Sequence, residues 1–113
     1  MRVNQSATLK PELANEAKRV GALLSRLRIA RGIKQTEAAL RAGLSRNTVY
    51  RMETGDPGLA FGQILRYLDA IAPGMTFASL FSEIDPSITA LKLREQKKRV
   101  RGLSEQELKE LDF

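Results

Sequence analysis

The stretch that most constrains the fold is residues 35–53, QTEAALRAGLSRNTVYRME, in which two short helical segments are separated by a glycine. Gly43 stands where the chain needs a positive backbone angle, which only glycine adopts freely. Ala39 lies where the two helices approach, and a larger side chain there would push them apart. Val49 and Met52 are three residues apart and face inward from the second helix. The sequence therefore predicts a tight pair of helices on a buried frame formed by these four residues.

The opposite side of the second helix carries residue types that suit the edges of DNA bases. Arginine can bond to O6 and N7 of guanine, and asparagine to N6 and N7 of adenine. The first turn of a helix also favours nearby phosphates, because the helix dipole is positive there. An ordinary polar surface is the alternative, and the joint spacing of the buried frame disfavours it. We therefore predict that a DNA-reading edge is formed by Arg46, Asn47, Tyr50 and Arg51. The Tyr50 ring has two open alternatives, stacking on a sugar or packing down on its own helix.

Apolar residues recur at helical spacing on both sides of this pair, and strand signals are absent. Pro11 suits the first turn of a long helix that Gly32 stops. Periodicity predicts a fourth helix near residues 64–71 and a short fifth helix that begins after Thr76. The chain is therefore expected to be all-α.

The last thirty residues predict further helix in two pieces. Pro86 opens a helix over about residues 87–99, and a capping box at 104–107 starts a separate last helix. The predicted organisation has three parts: a flexible N-terminal arm (1–10), a helical DNA-binding domain (11–82) and a C-terminal extension (83–113).

Composition narrows the function further. The chain has 113 residues, a net charge of +6 and a pI near 10.1, which favours a polyanionic partner. It contains no His and no Cys, so it lacks the usual general base and the thiolate ligands of metal sites. We expect no enzymatic activity, no cofactor and no metal. Because no apolar run of about 20 residues occurs, we also expect no membrane association and a cytoplasmic location.

Five short stretches form a joint pattern across this region: LRIARG at 27–32, QTEAA at 35–39, GLS at 43–45, NTV at 47–49 and METG at 52–55. The pattern resembles the Cro and phage-repressor type helix-turn-helix family, also called XRE. The resemblance implies a compact five-helix, lambda-repressor-like domain that usually binds double-stranded DNA as a homodimer. It implies that Gln35 contacts a phosphate and that Ser45 joins the DNA-facing set. It also implies a structural ion pair between Arg28 and Glu53.

Three residues depart from that family's pattern. Lys34 replaces the Ser or Thr that often caps the first motif helix, Ala38 is small where Leu is common, and Leu40 is apolar where a polar residue is common. We expect a repacked core in which the Leu40 side chain fills the space that the smaller Ala38 leaves. Lys34 and Arg41 flank this helix and are expected to add phosphate contacts.

Apolar residues beyond the motif suggest protein contacts. Phe77 and Phe81 belong to a cluster that suits either a dimer interface or closure of the domain's own core. The tail is basic over residues 92–101, which suits either DNA backbone or a solvated helix. The tail's acidic end carries Leu108, Leu111 and Phe113, a composition typical of a segment that docks on another protein.

The tail and the GDPG turn at 55–58 also resemble HipB-like antitoxins that accompany HipA-like kinase toxins. Two functions therefore stay open. The first is a sequence-specific transcriptional regulator, an autorepressor that binds a palindromic operator as a dimer. The alternative is an antitoxin of a type II toxin-antitoxin pair that binds a toxin protein and co-represses its operon.

Overall fold

The computed structural model describes the backbone of residues 5–82 and 85–111 and the side chains of residues 7–82 and 85–100. Within those ranges the regular elements are all α-helices, as the sequence predicts. They are α1 (Gln5–Thr8), α2 (Pro11–Ala30), α3 (Gln35–Ala42), α4 (Arg46–Glu53), α5 (Phe61–Ile71), α6 (Phe77–Leu80) and α7 (Pro86–Leu111). None of the described helices is long and apolar enough to cross a membrane.

The helix boundaries follow local signals in the sequence. Pro11 occupies the first turn of α2, and the chain leaves that helix just before Gly32. The Thr76 hydroxyl accepts a hydrogen bond from the Ser79 N–H at 3.2 Å and caps α6. Helix α5 begins three residues before the predicted position. Its first turn is closed because the Gln63 side chain accepts the Ala60 N–H at 3.3 Å.

Two parts of the chain differ from the sequence prediction. Residues Gln5–Thr8 of the predicted arm form a single helical turn. The tail forms one helix of 26 residues and not two, so the predicted break before residue 104 is wrong. A glycine inside a helix costs only about 1 kcal/mol. Gly102 therefore does not end α7, and the capping-box pattern falls inside a continuous helix.

The core joins the two motif helices to the helices on either side of them. Helix α3 packs against α4 and α5, and α4 also packs against α2. The largest fully buried side chains are Leu24, Val49, Tyr67, Leu68 and Ile71. Ala39, Val49 and Met52 are buried as predicted, so the frame of the motif pair is confirmed for these three. Gly43 is exposed at the turn, so its assignment to the buried frame is wrong.

The predicted repacking around Leu40 is wrong. The Leu40 side chain is 83% exposed, whereas Ala38 is completely buried. Two residues along a helix are about 200° apart, so these side chains point to opposite sides of α3. Small residues at 38, 39 and 42 let α3 approach its neighbours closely. The space that the small Ala38 side chain leaves is therefore filled because α3 packs closer to its neighbours.

A glycine outside the motif sets how closely α2 crosses α4. A Cβ atom on Gly21 would lie 2.6 Å from the Met52 carbonyl oxygen and 2.8 Å from the Glu53 carbonyl oxygen. Real Cβ atoms do not approach backbone that closely. Gly21 thus brings the backbone of α2 directly against the end of α4.

Helix α7 is fixed to α2 at its N-terminal half. Ile88 is buried in the core, and two ion pairs, Arg31–Asp85 and Arg26–Glu95, join the helices on either side of it. Asp85 also accepts the Ser87 N–H at 2.8 Å and so caps α7. Burial would raise the pKa of Asp85, but the hydrogen bonds from Ser87 and Arg31 outweigh it and lower that pKa.

Candidate nucleic-acid interface

The turn between α3 and α4 has the geometry that the sequence predicts. Gly43 has a φ of +67°, and the Leu44 N–H donates to the Ala39 carbonyl at 2.9 Å. The Ser45 hydroxyl then accepts the Thr48 N–H at 3.0 Å and caps α4. A side chain at position 43 would be strained in this conformation. The turn therefore fixes where α4 starts relative to α3.

The predicted reading edge lies on the exposed side of α4. Arg46 and Asn47 are exposed in its first turn, and Tyr50 follows one turn later with 58% of its surface exposed. The exposed ring is accessible to a DNA sugar, and stacking there or packing on its own helix both stay open. Val49 and Met52 occupy the buried side. The helix thus presents polar groups outward along its whole length.

Arg51 belongs to the same edge but has a partner inside the protein. Its Nε donates to Asp56 Oδ2 at 2.7 Å, while 43% of the arginine side chain stays exposed. Asp56 also accepts the Gly58 N–H at 2.8 Å. The two hydrogen bonds, of which the one from Gly58 has the larger effect, lower the pKa of Asp56. The Asp56 carboxylate is therefore charged at neutral pH and ordered on two sides.

The Arg28–Glu53 pair that the resemblance implies is present and buried. Arg28 Nε lies 2.7 Å from Glu53 Oε2, and Arg28 Nη2 lies 3.0 Å from Glu53 Oε1. Only 11% of the arginine side chain and 5% of the glutamate side chain are exposed. The pair is therefore not the weak surface contact that two separate charges would make.

Two further donors complete the surroundings of the Glu53 carboxylate. The Tyr67 hydroxyl donates to Oε2, and the Gln35 amide nitrogen donates to Oε1 at 3.1 Å. Burial would raise the pKa of Glu53, but the hydrogen bonds from Arg28, Tyr67 and Gln35 together lower it. Burial raises the pKa of Tyr67, and its bond to Glu53 adds to that effect. Glu53 at the end of α4 is thereby joined to α2, α3 and α5.

The other predicted contact residues lie on α3. Lys34 precedes the helix, is exposed and makes no side-chain cap, which agrees with the missing Ser or Thr. Gln35 uses its amide nitrogen on Glu53. Arg41 is 48% exposed and pairs with Glu37 at 2.6 Å. The structure therefore places Gln35 beside the end of α4, whereas Lys34 and Arg41 lie at opposite ends of α3.

Sequence reasoning missed three residues that shape this surface. Asp56 was detectable, because an Asp-Pro-Gly turn often orders the aspartate side chain on the backbone two residues later. Tyr67 was detectable as an apolar position three residues after Ile64. No sequence pattern indicated a structural role for Arg66. Its Nη2 donates to the carbonyls of Ala42 at 2.8 Å and of Gly43 at 3.2 Å and so stabilises the end of α3.

The predicted dimer or partner residues separate into two groups. Phe77 packs against the core and makes edge-to-face contacts with Phe61 and Phe81, with ring centroids 5.4 Å apart in each case. Phe61 and Phe81 are exposed. We call these three residues the aromatic row. The side chains of Leu108 and Leu111, and Phe113 entirely, lie outside the described residues, so the docking role of the tail stays a prediction.

Comparison with known proteins agrees with this geometry. A family model described as a helix-turn-helix domain matches residues 19–72, which cover α3, α4, α5 and the C-terminal part of α2. No curated protein and no solved structure matches the chain.

Proposed function

We propose that this chain is a DNA-binding regulator that reads a specific palindromic operator as a homodimer and represses its own gene. The helix-turn-helix domain of the Cro/XRE type at residues 19–72 supports the DNA-binding part of this proposal. The observation that carries the proposal is the two-sided nature of α4. Its outer side presents Arg46, Asn47 and Tyr50, and its inner side is buried.

A reading helix needs a fixed orientation as well as suitable side chains. Binding geometry that is set before contact avoids the entropy of ordering at the interface. Helix α4 is capped by Ser45 at its start and held by the bonds around Glu53 at its end. Both ends of the helix are therefore fixed, which supports direct base reading over loose electrostatic attachment.

The aromatic row supports the dimer. Aromatic residues are enriched at protein interfaces, and Phe61 and Phe81, which both contact Phe77, expose apolar surface. A symmetric dimer would set two copies of α4 about 34 Å apart, one turn of the DNA helix, and would require a palindrome.

Selection from a random duplex library with the full chain tests the proposal, followed by affinity measurements on the selected duplex. Arg46→Ala and Asn47→Ala should each weaken binding by about 1–3 kcal/mol and relax the preference at one base pair. Arg19→Ala is the matched control, since it removes an exposed charge from α2 and leaves α4 untouched. The proposal is wrong if the wild-type chain enriches no sequence.

Sedimentation and a reporter assay test the finer claims. Phe81→Glu should convert the dimer into a monomer, while Leu40→Glu, which changes an exposed leucine on α3, should leave the dimer intact. The DNA upstream of the gene should contain the selected sequence, and the chain should repress a reporter placed behind it. A monomeric wild-type chain would contradict the dimer, and an unrepressed reporter would contradict autorepression.

A further inference from the structure

The contact between Arg51 and Asp56 has the geometry of a positioned reading residue. A guanidinium group carries five N–H donors. Asp56 Oδ2 accepts the Nε hydrogen at 2.7 Å. The four hydrogens on Nη1 and Nη2 lie at the far end of the side chain. Those are the hydrogens with which an arginine bonds to both O6 and N7 of guanine.

Asp56 can orient Arg51 because it is itself held in place. Its Oδ1 accepts the Gly58 N–H at 2.8 Å, and its own N–H donates to the Arg51 carbonyl at 2.9 Å. The carboxylate therefore has one oxygen on the turn and the other on the arginine. An aspartate with a free side chain would have no such fixed direction.

The position of Arg51 on the helix agrees with this role. Residues four apart in a helix lie on the same face, so Arg51 follows Asn47 directly along the reading edge. Asn47 is exposed and is suited to adenine. The two side chains together would read neighbouring base pairs.

We propose that Asp56 is a specificity-determining residue, which acts by holding the Arg51 guanidinium in the direction that reads one guanine. The inference rests on the proposed DNA-reading function. Its partner is therefore a base pair of the operator, and Asp56 acts through Arg51 without touching the DNA.

Besides orienting Arg51, which favours the selected site, the Asp56 charge has an unfavourable effect on binding to DNA of any sequence. A carboxylate near the interface repels phosphates, so it weakens binding to every sequence alike. It also neutralises part of the Arg51 charge that a phosphate would otherwise attract. Loss of Asp56 should therefore weaken binding to the selected site and strengthen binding to unrelated duplex. A residue that only supports the fold would weaken both.

The experiment uses the full chain, the duplex selected by the wild type, that duplex with its guanines replaced one by one, and an unrelated duplex. Asp56→Ala should lower the ratio of specific to non-specific affinity by about 3- to 10-fold, the effect of freeing one long side chain. The loss should fall on one guanine, the same one that Arg51→Ala loses. Adding Asp56→Ala to Arg51→Ala should change the ratio no further.

Two further variants keep the test decisive. Asp56→Asn preserves the side-chain oxygen that accepts the Gly58 N–H, so it keeps the turn if Asp56→Ala unfolds it. It should still lose discrimination, because the amide NH₂ then replaces Oδ2 and cannot accept the Nε hydrogen. Glu16→Ala removes an exposed carboxylate from α2 and should leave the ratio unchanged.

The outcomes distinguish a failure of the proposed Asp56 role from a failure of the proposed DNA reading. If the wild-type chain selects a sequence and both Asp56 variants discriminate as it does, the role of Asp56 is wrong and DNA reading stands. If Asp56→Ala lowers affinity in the Arg51→Ala background as much as in the wild type, Asp56 acts on the fold and the inference is again wrong. If the wild type selects nothing, the proposed function itself fails.

Discussion

Replacement of Glu53 by glutamine should destabilise the domain far more than loss of an ordinary ion pair. Each oxygen of this carboxylate accepts two donors: Oε2 from Arg28 Nε and Tyr67, and Oε1 from Arg28 Nη2 and Gln35. Glutamine has one oxygen and one NH₂ group in the same space. Whichever way the amide turns, its NH₂ group faces an Arg28 N–H, and the Tyr67 hydroxyl or the Gln35 amide must reorient to accept from it. The guanidinium also stays buried without a negative charge.

The magnitude follows from the burial of the pair. Breaking a buried ion pair on one side costs about 3–5 kcal/mol, because the remaining charge is left without compensation. A domain of this size has a total stability of about 5–15 kcal/mol. A loss of 3 kcal/mol should lower the melting temperature by roughly 12–24 °C. Urea unfolding at pH 7, followed by circular dichroism at 222 nm, measures the free energy directly.

The pH dependence supplies an independent check of the same contact. The folded pKa of Glu53 is lowered, so the stabilisation by its charge is complete above the unfolded value of about 4.3 and is lost as the pH falls through the folded pKa. The difference between wild type and Glu53→Gln should therefore be full at pH 7 and shrink below about pH 4.

A surface pair in the same molecule is the control for this measurement. Glu37→Gln affects a pair whose two side chains are both 48% exposed, and it should cost no more than about 0.5 kcal/mol. A loss below about 1 kcal/mol at Glu53, or a difference that stays constant from pH 7 to pH 3, would refute the reasoning.

Three further substitutions probe other parts of the structure. Gly21→Ala should lower the free energy of unfolding in urea by at least about 1–3 kcal/mol, because the new Cβ atom would meet the backbone of α4. Gly62→Ala is the matched control: its Cβ atom would meet nothing within 4 Å, so the change should be neutral or stabilising. Lys34→Ser should raise the free energy of unfolding by about 0.5–1 kcal/mol, because serine can cap α3. It should also remove one phosphate contact, which reduces the slope of log affinity against log salt concentration by about 0.9. An unchanged slope would show that Lys34 does not touch DNA. Leu40→Lys should change the unfolding free energy by less than about 0.5 kcal/mol, since the side chain is exposed, and a loss above 2 kcal/mol would show that Leu40 is packed.

The motif was predictable because its constraints are local. The positive φ at Gly43, the cap at Ser45 and the buried spacing of Val49 and Met52 each depend on a few neighbouring residues. The start of α2 at Pro11 and of α6 after Thr76 followed from the same kind of signal. The ion pair between Arg28 and Glu53 was reached through family resemblance, since 25 residues separate its members.

The errors have physical causes of two kinds. Leu40 was assigned to the core because it is apolar and Ala38 is small where the family pattern differs, although the position of Leu40 on α3 directs it to solvent. The break in the tail was predicted because residues 104–107 match a capping box, but the same residues also occur inside a continuous helix. Gly21 and Arg66 were missed because their roles arise where distant segments meet. No local pattern distinguishes a glycine at a helix crossing from any other glycine in a helix.

Under the proposed function, two ion pairs of this domain should contribute to DNA reading in different ways. The Arg28–Glu53 pair is buried, so it fixes the direction of α4 and its loss is measured as stability. The Arg51–Asp56 pair is half exposed and contributes at most about 1 kcal/mol to folding. Its effect should therefore be measured as discrimination between bases. A variant of Glu53 should lower stability first and weaken binding to all sequences as α4 loses its fixed orientation. A variant of Asp56 should leave the melting temperature nearly unchanged and lower the discrimination at one guanine.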